Sequence, residues 1–223
     1  MQSSLIDVVV PAAGVGKRMQ LNIPKQYALI HSATVLEHTV KALMRCERVG
    51  RIIVGVSDTD EYFDSLNFDR QRVIKGPGGK ERSDTVRECL ALCSTEYVMV
   101  HDAARPLILK EDLDKLCLKA DGKTQGAILA CAVTDTIKLV EDGKIVKTVP
   151  RKNLFRAYTP QLCRLDLLKQ SLNYAFENNL AITDDASALE LSGFVVEIVE
   201  GSADNFKLTT REDLNMARLL IKE

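Results

Sequence analysis

Three observations predict an α/β fold built on a mostly parallel, twisted sheet. Short β-branched runs alternate along the chain with amphipathic stretches, the runs are apolar on both faces, and the loops richest in small and charged residues directly follow them. A strand apolar on both faces needs cover on both, and strands joined through helices run parallel. Residues 1–223 read as a single domain, within the range one core supports.

The first strand is Ile6 to Val10. Thr34 with Glu37 forms a capping-box start for a helix running to about Arg45. Further strands are Arg51 to Val56, Tyr97 to His101, Gly126 to Ala132 and Val195 to Val199. Thr210 with Asp213 repeats the capping pattern for a C-terminal helix. Between Asp135 and Val149 the alternation of helix and strand breaks, and two charged, alternating strands flank the turn signal Asp142-Gly143. This is an inserted β-hairpin arm, about residues 134–157, either a lone flap or a hook completed by a second subunit, and the homodimer is favoured.

Composition removes several classes of function. With 30 basic against 31 acidic residues the chain has no broad field for nucleic acid or anionic lipid, so an anion must be gripped locally. The six cysteines, at 46, 89, 93, 117, 131 and 163, form no C-x-x-C pair and read as reduced thiols; Cys89 and Cys93, four apart in an apolar stretch, read as small core residues in preference to two metal ligands on one helix face. No apolar stretch approaches the ~20 residues that cross a bilayer. The first apolar run is too short for a signal peptide, and the expected address is cytoplasmic.

Ligands of a parallel sheet bind beyond the carboxyl ends of its strands. After the first strand stand Pro11-Ala-Ala-Gly-Val-Gly-Lys-Arg-Met19 and then Pro24-Lys25-Gln26. Small residues let backbone N–H groups approach a phosphate, and Lys17, Arg18 and Lys25 supply charge, which suggests a triphosphate cradle. A Walker loop is excluded because Pro11 takes the first glycine position and Arg18 replaces the magnesium-binding hydroxyl. A dinucleotide fingerprint fails at Met19, where its third glycine belongs. The plain alternative is a tight turn with surface cations, against which stands the mutual repulsion of three crowded charges.

Pro11-Ala-Ala-Gly-x-Gly-x-Arg-Met19 with Pro24-Lys-Gln26 resembles the signature of the 2-C-methyl-D-erythritol 4-phosphate cytidylyltransferases. The resemblance runs nearly end to end, through Gly78-Gly79-x-x-Arg82, His101-Asp102-Ala-Ala-Arg105-Pro106 and Asp135-Thr136-Ile-Lys138. It continues through Thr159-Pro160-Gln161, Thr183-Asp184-x-Ala186-Ser187 and Asp204-Asn205-x-Lys207. It implies a Rossmann-like nucleotidyltransferase domain that moves CMP from CTP to methylerythritol phosphate, with magnesium as divalent cation. By the same resemblance Arg18 and Lys25 hold the triphosphate, Lys25 and Lys207 neutralise the α-phosphate, and Arg151 assists. On sequence alone Lys207 looks like an ordinary solvated lysine.

The resemblance further implies nucleotide contacts at Pro11, Ala12, Ala13, Gly14, Gly79, Thr85, Asp102 and Ala103, with Asp102 meeting the ribose or the metal. Arg105, in the same loop, is either a ligand contact or structural. Acceptor contacts fall to Thr136, Arg151 and Thr183, the first two completing a partner's pocket if the arm reaches one. Lys80 and Thr85 stand where related enzymes often carry an acid and a serine. Two other readings remain open: a ribitol 5-phosphate cytidylyltransferase, whose first loop typically looks like Leu-Ala-Gly-Gly, and a CTP-binding protein without catalysis.

Overall fold

The structure, a computed structural model, describes residues 4–14, 19 and 22–222. A seven-stranded sheet runs through the molecule in the order β11-β7-β10-β6-β1-β4-β5. Its strands are β1 (Ile6–Pro11), β4 (Val49–Val56), β5 (Val73–Pro77), β6 (Tyr97–Val100), β7 (Gly126–Ala132), β10 (Phe155–Arg164) and β11 (Val196–Glu200). Every pairing is parallel except those of β10, which runs antiparallel to both β6 and β7.

Alternation along the strands divides the core. Val8 and Val10 of β1 join Ile52 and Val54 of β4 on one face, under α1 (Val35–Leu43) and α3 (Lys110–Asp121), through Leu36, Val40, Leu113 and Leu116. Val9 and Ile53 point the other way, toward α2 (Arg82–Leu90), α4 (Leu165–Glu177) and α5 (Asp185–Leu191), meeting Val86, Leu168 and Leu189. A third cluster seats α6 (Arg211–Leu220) near the two-stranded β2 (Leu29–Ile30) and β3 (Ala33–Thr34), with Met19, Ile30 and Leu214 in contact. Cys89 and Cys93 are buried, as core residues.

Both expected capping boxes are formed. Thr34 Oγ1 accepts from Glu37 N while Glu37 accepts from Thr34 N, and Thr210 pairs in the same way with Asp213. A third, between Asp184 and Ser187, starts α5.

Two strands of the seven-stranded sheet, and the short pair β2 and β3, went unread in the sequence. β5 is short and ends in Gly-Pro, while β10 carries Pro160 and little continuous apolar character. Its pairing with β7 shifts register between Ala157 and Gln161, which accommodates a residue with no N–H to give a ladder. Residues 155–157, placed with the arm by the sequence, pair instead with β7. The arm itself is β8 (Ile137–Glu141) and β9 (Lys144–Val149), with Asp142 and Gly143 both at positive φ in its turn.

From β1 the chain moves outward through β4 to β5 and then returns to the opposite side of β1 as β6. The connections diverge between β1 and β6, and this topological switch point opens the crevice that holds the site.

Candidate active site

Beyond the carboxyl ends of β1 and β6 lies a cleft of about 270 Å³. Pro11, Ala12, Ala13 and Gly14 form one wall, and Gly79 and Thr85 another. Asp102 and Ala103 form the floor, with Lys25 and Lys207 at the mouth. Ten of the residues assigned from the resemblance thus meet in one cavity. Arg18 lies outside the described residues, as does Lys17.

The walls are built from backbone. Ala12 N donates to Gly55 O at 2.7 Å, and Ala12 O accepts from the buried Gln26 side chain at 2.5 Å, fixing the first loop from two sides. Gln26 belongs to the short 3-10 turn Lys25–Tyr27, so the same bond seats Lys25, whose Nζ donates to Leu208 O at 3.1 Å. Tyr27 closes that turn by donating to Asp60 Oδ2 at 2.7 Å. A side chain at Gly78 would bring its Cβ within 2.5 Å of Val56 O and 2.6 Å of Ala13 Cβ, so glycine lets the two walls touch.

Thr85 serves the cleft indirectly. Its hydroxyl accepts from Gly79 N at 2.9 Å and donates to Glu81 O at 3.2 Å, and the side chain is buried. Both hydrogen-bonding functions go to shaping the Gly78-Gly79 turn, and the methyl packs over Gly55. Lys80 also lines the cleft.

At the floor, charge is concentrated. Asp102 Oδ1 accepts from Arg82 Nε at 3.0 Å, and Oδ2 pairs with Lys207 Nζ at 2.9 Å and Arg105 Nε at 3.4 Å. Burial alone would raise the Asp102 carboxyl, but Arg82, Lys207 and Arg105 overcome it and hold the group far below the usual carboxylate range. Arg82 uses its other arm on Asp185, Nη2 to Oδ2 at 2.8 Å. Asp185 is itself fully enclosed, and its burial outweighs the pull of Arg82, leaving its carboxyl raised. Arg105 donates to Asn205 O at 2.7 Å and lies over the Tyr158 ring, and burial lowers its guanidinium below the ordinary value.

Under this floor His101 is fully buried between Arg105 O, 3.0 Å from Nε2, and Thr159 Oγ1, 3.1 Å from Nδ1. A carbonyl only accepts, so Nε2 carries the proton and Nδ1 accepts from the Thr159 hydroxyl, which in turn accepts from Asp102 N at 3.0 Å. Burial lowers His101 to about 4, so the ring is neutral at physiological pH.

A second cavity of about 310 Å³ adjoins the first and shares Arg82, Asp102 and Lys207 with it. Arg105, Tyr158 and Thr183 contribute to its lining. Thr136 and Arg151 line neither cavity: both are exposed at the base of the arm, and Arg151 Nη1 donates to Thr134 O. Within one chain the arm therefore does not complete the second cavity.

Sequence reasoning quoted Arg82 and Gln161 without a role and passed over Asp185. Gln161 Nε2 donates to Asp184 Oδ2 at 2.8 Å while its Oε1 accepts from Ala186 N, fastening the start of α5 to β10. The available signal was the doubled acid Asp184-Asp185 at a helix start, where one carboxylate caps and the other needs a cation.

For a metal, the described residues hold no group of three or more His, Cys, Asp or Glu in ligating range. Asp102 and Glu81 are the carboxylates lining the first cavity. One carboxylate with phosphate oxygens suits magnesium, which binds few protein ligands and keeps waters.

A cationic cleft at the switch point of a parallel sheet, opening into a second anion-ready cavity, defines an enzyme of the nucleotidyltransferase class. The sequence profile of the family described as 2-C-methyl-D-erythritol 4-phosphate cytidylyltransferase matches residues 6–223, and the chain belongs to that family. It is 43% identical over 98% of its length to the enzyme of that name from Aliivibrio fischeri, of which it covers 94%. With the protein of that name from Mannheimia succiniciproducens it shares 45% identity, covering 97% of this chain and 96% of the relative. The crystal structure of the Francisella tularensis 2-C-methyl-D-erythritol 4-phosphate cytidylyltransferase superposes with a TM-score of 0.85 at 33% identity, covering 98% of this chain and 100% of that one.

Proposed function

We propose that the chain transfers CMP from CTP to 2-C-methyl-D-erythritol 4-phosphate, giving 4-diphosphocytidyl-2-C-methyl-D-erythritol and pyrophosphate for isoprenoid precursor biosynthesis. The observation that carries this reading is the sharing of Arg82, Asp102 and Lys207 by two adjoining cavities. A nucleotide in the first and a phosphate in the second would meet at those cations.

The acceptor's phosphate oxygen forms a bond to the α-phosphorus of CTP as the bond to the β-phosphate oxygen breaks. A phosphate is already ionised at neutral pH, so no general base is needed, and the protein's contribution is position and charge. Lys207, on the boundary between the cavities, exchanges its partner Asp102 for the α-phosphate as charge builds there. Lys25, whose Nζ donates to Leu208 O beside Lys207, meets the triphosphate at the same mouth, and the role of Arg18 rests on the family resemblance. Pro11 to Gly14 and the Gly79 turn enclose base and ribose through backbone groups, Thr85 holding the turn in shape. Magnesium, held by Asp102 together with triphosphate oxygens, would neutralise the departing pyrophosphate.

The reading extends to a homodimer in which the arm of one subunit brings Thr136 and Arg151 to the acceptor cavity of the other. It is supported by the exposure of Val140, Ile145 and Val146 on the arm and by the distance of Arg151 from the cavities of its own chain. A planar guanidinium suits a sugar phosphate because it grips two oxygens at once. CTP as donor suits a cytoplasmic address.

Pyrophosphate release with CTP and magnesium tests the reading, with methylerythritol 4-phosphate and ribitol 5-phosphate compared as acceptors. Turnover confined to the first is the expected result. Turnover confined to the second would replace the acceptor, and CTP binding without release under either condition would leave a binding protein.

A further inference from the structure

We propose that Asp185 is a positioning residue for the transfer, acting through Arg82 on Asp102 and through that carboxylate on the poise of Lys207. The inference rests on the cytidylyl-transfer reading and adds to it a residue remote from the nucleotide cleft.

Asp185 is the first residue of α5, and its side chain is 1% exposed. The capping of α5 is already complete without it, because Asp184 Oδ1 accepts from Ser187 N at 2.9 Å. An acid placed to favour the helix dipole would gain nothing from being enclosed, and enclosing a carboxylate costs free energy unless a cation meets it. Arg82 meets it at 2.8 Å, and no other cation pairs with Asp185 among the described residues.

This anchor decides how Arg82 treats Asp102. A guanidinium beside a lone carboxylate tends to take both oxygens in a fork. Here one arm is held by Asp185, so only Nε reaches Asp102, and it reaches Oδ1 alone. Oδ2 is left for Arg105 and Lys207. Lys207 is thereby held at the boundary of the two cavities, partly exposed and ready to change partners. With the Asp185 charge removed, Arg82 turns its fork on Asp102 and displaces Lys207 from it. The chain of contacts runs from the first residue of α5, just after Thr183 and Asp184 of the second cavity, to the catalytic lysine.

The experiment compares Asp185→Asn and Arg82→Lys, each alone and combined with Lys207→Met, by kcat and KM at saturating CTP and acceptor. Acylation of Lys207 by a water-soluble amine reagent, read by mass spectrometry, is measured on the single variants. Each single variant is expected to lower kcat about ten- to hundredfold, as loss of an orienting partner commonly does. KM for CTP should stay within about threefold, the pattern of an interaction realised in the transition state. In the Lys207→Met background neither change should lower kcat further, although Asp185 and Lys207 do not touch, whereas independent sites would multiply. Lys207 should acylate about severalfold faster in Asp185→Asn, where Arg82 takes both Asp102 oxygens, and no faster in Arg82→Lys, whose ammonium cannot form that fork. Multiplying effects, or unchanged Lys207 labelling in Asp185→Asn, overturns the inference. If Asp185→Asn does not fold, faster labelling of Lys207 in Arg82→Lys overturns it instead. Wild-type protein inactive with CTP would overturn the functional reading instead, and the labelling arm would still decide the role of Asp185.

Discussion

Lys207 Nζ lies 2.9 Å from Asp102 Oδ2, an ion pair that ties the loop before α6 to the loop after β6. Asp102 keeps Arg82 and Arg105 when Lys207 is absent, so the floor of the cleft survives its removal. Replacing Lys207 by alanine is therefore expected to spare the fold and to cut kcat by about 10²- to 10³-fold, the usual cost of one charge-stabilising donor. Pyrophosphate release and thermal unfolding of the variant check the two halves. A variant that turns over normally would take Lys207 out of the mechanism.

His101 gives the stability of the protein a pH dependence. Its folded value, about 4, lies below the unfolded value near 6.5, so between the two the unfolded chain binds more protons than the folded one. Stability conferred by the neutral, buried ring is present above pH 6.5 and is lost as pH falls through that window. The thermal midpoint should decline from pH 7 toward pH 4, and the decline should be shallower in His101→Asn, once each protein is referred to its own midpoint at pH 7. Equal slopes would assign the acid sensitivity to other groups.

Gly55 is where the methyl of Thr85 finds its space. A Cβ at position 55 would stand 2.4 Å from Thr85 Cγ2 and 2.7 Å from Cys89 Sγ. Gly55→Ala is expected to cost about 1–3 kcal/mol, the range for overpacking a filled site. Adding Thr85→Ser removes the nearest clash while keeping the hydroxyl bonded to Gly79 N, so the double variant should recover part of the loss. Urea unfolding of the three proteins measures it, and a double variant no more stable than Gly55→Ala would place the strain at Cys89.

How much of this was legible varies with the kind of signal. The parallel strands showed as apolar runs because they are covered on both faces, and two helix starts showed because capping uses side chains at fixed spacing. β10 did not, since its residues Thr159 and Gln161 are buried for their polar contacts: Thr159 serves His101 and Asp102, and Gln161 serves α5. Local pattern carries no trace of partners so distant in sequence. The same holds at the floor of the cleft. Asp102 stood out at a strand end, but its dependence on Arg82 and Arg82's on Asp185 are facts of tertiary packing. Lys207 and Thr183 were singled out through the family pattern, and each lines one of the two adjoining cavities, Lys207 both of them.

The arm gives a prediction about assembly. A two-stranded hairpin is marginal by itself in water, and this one exposes Val140, Ile145 and Val146. If the proposed arm-mediated dimer forms, Ile145→Lys together with Val146→Lys is expected to leave a monomer in sedimentation where the parent chain sediments as a dimer, and to lower turnover more than tenfold, a rough figure for losing a charge-paired acceptor contact. KM for the acceptor should rise more than KM for CTP, because Thr136 and Arg151 are the residues the proposal assigns to the partner's pocket. A monomer with full turnover would separate the arm from catalysis.

Magnesium should enter with the nucleotide and not before it. Three cations, Arg82, Arg105 and Lys207, face two carboxylates, Asp102 and Asp185, at the floor of the cleft. The excess of positive charge opposes a bare divalent ion, and both Asp102 oxygens already have partners. A triphosphate reverses the balance: it adds several negative charges, offers Lys207 an alternative partner and supplies most of the oxygens the metal needs. Calorimetric titration with magnesium alone is therefore expected to show no saturable binding at millimolar concentration, and saturable binding should appear once CTP is present. Asp102→Asn should weaken that second phase and raise the magnesium concentration needed for half-maximal turnover, with chelation abolishing turnover reversibly. Tight binding of magnesium to the protein without nucleotide would mean that Asp102 parts from Lys207 on its own, and the metal would then precede CTP.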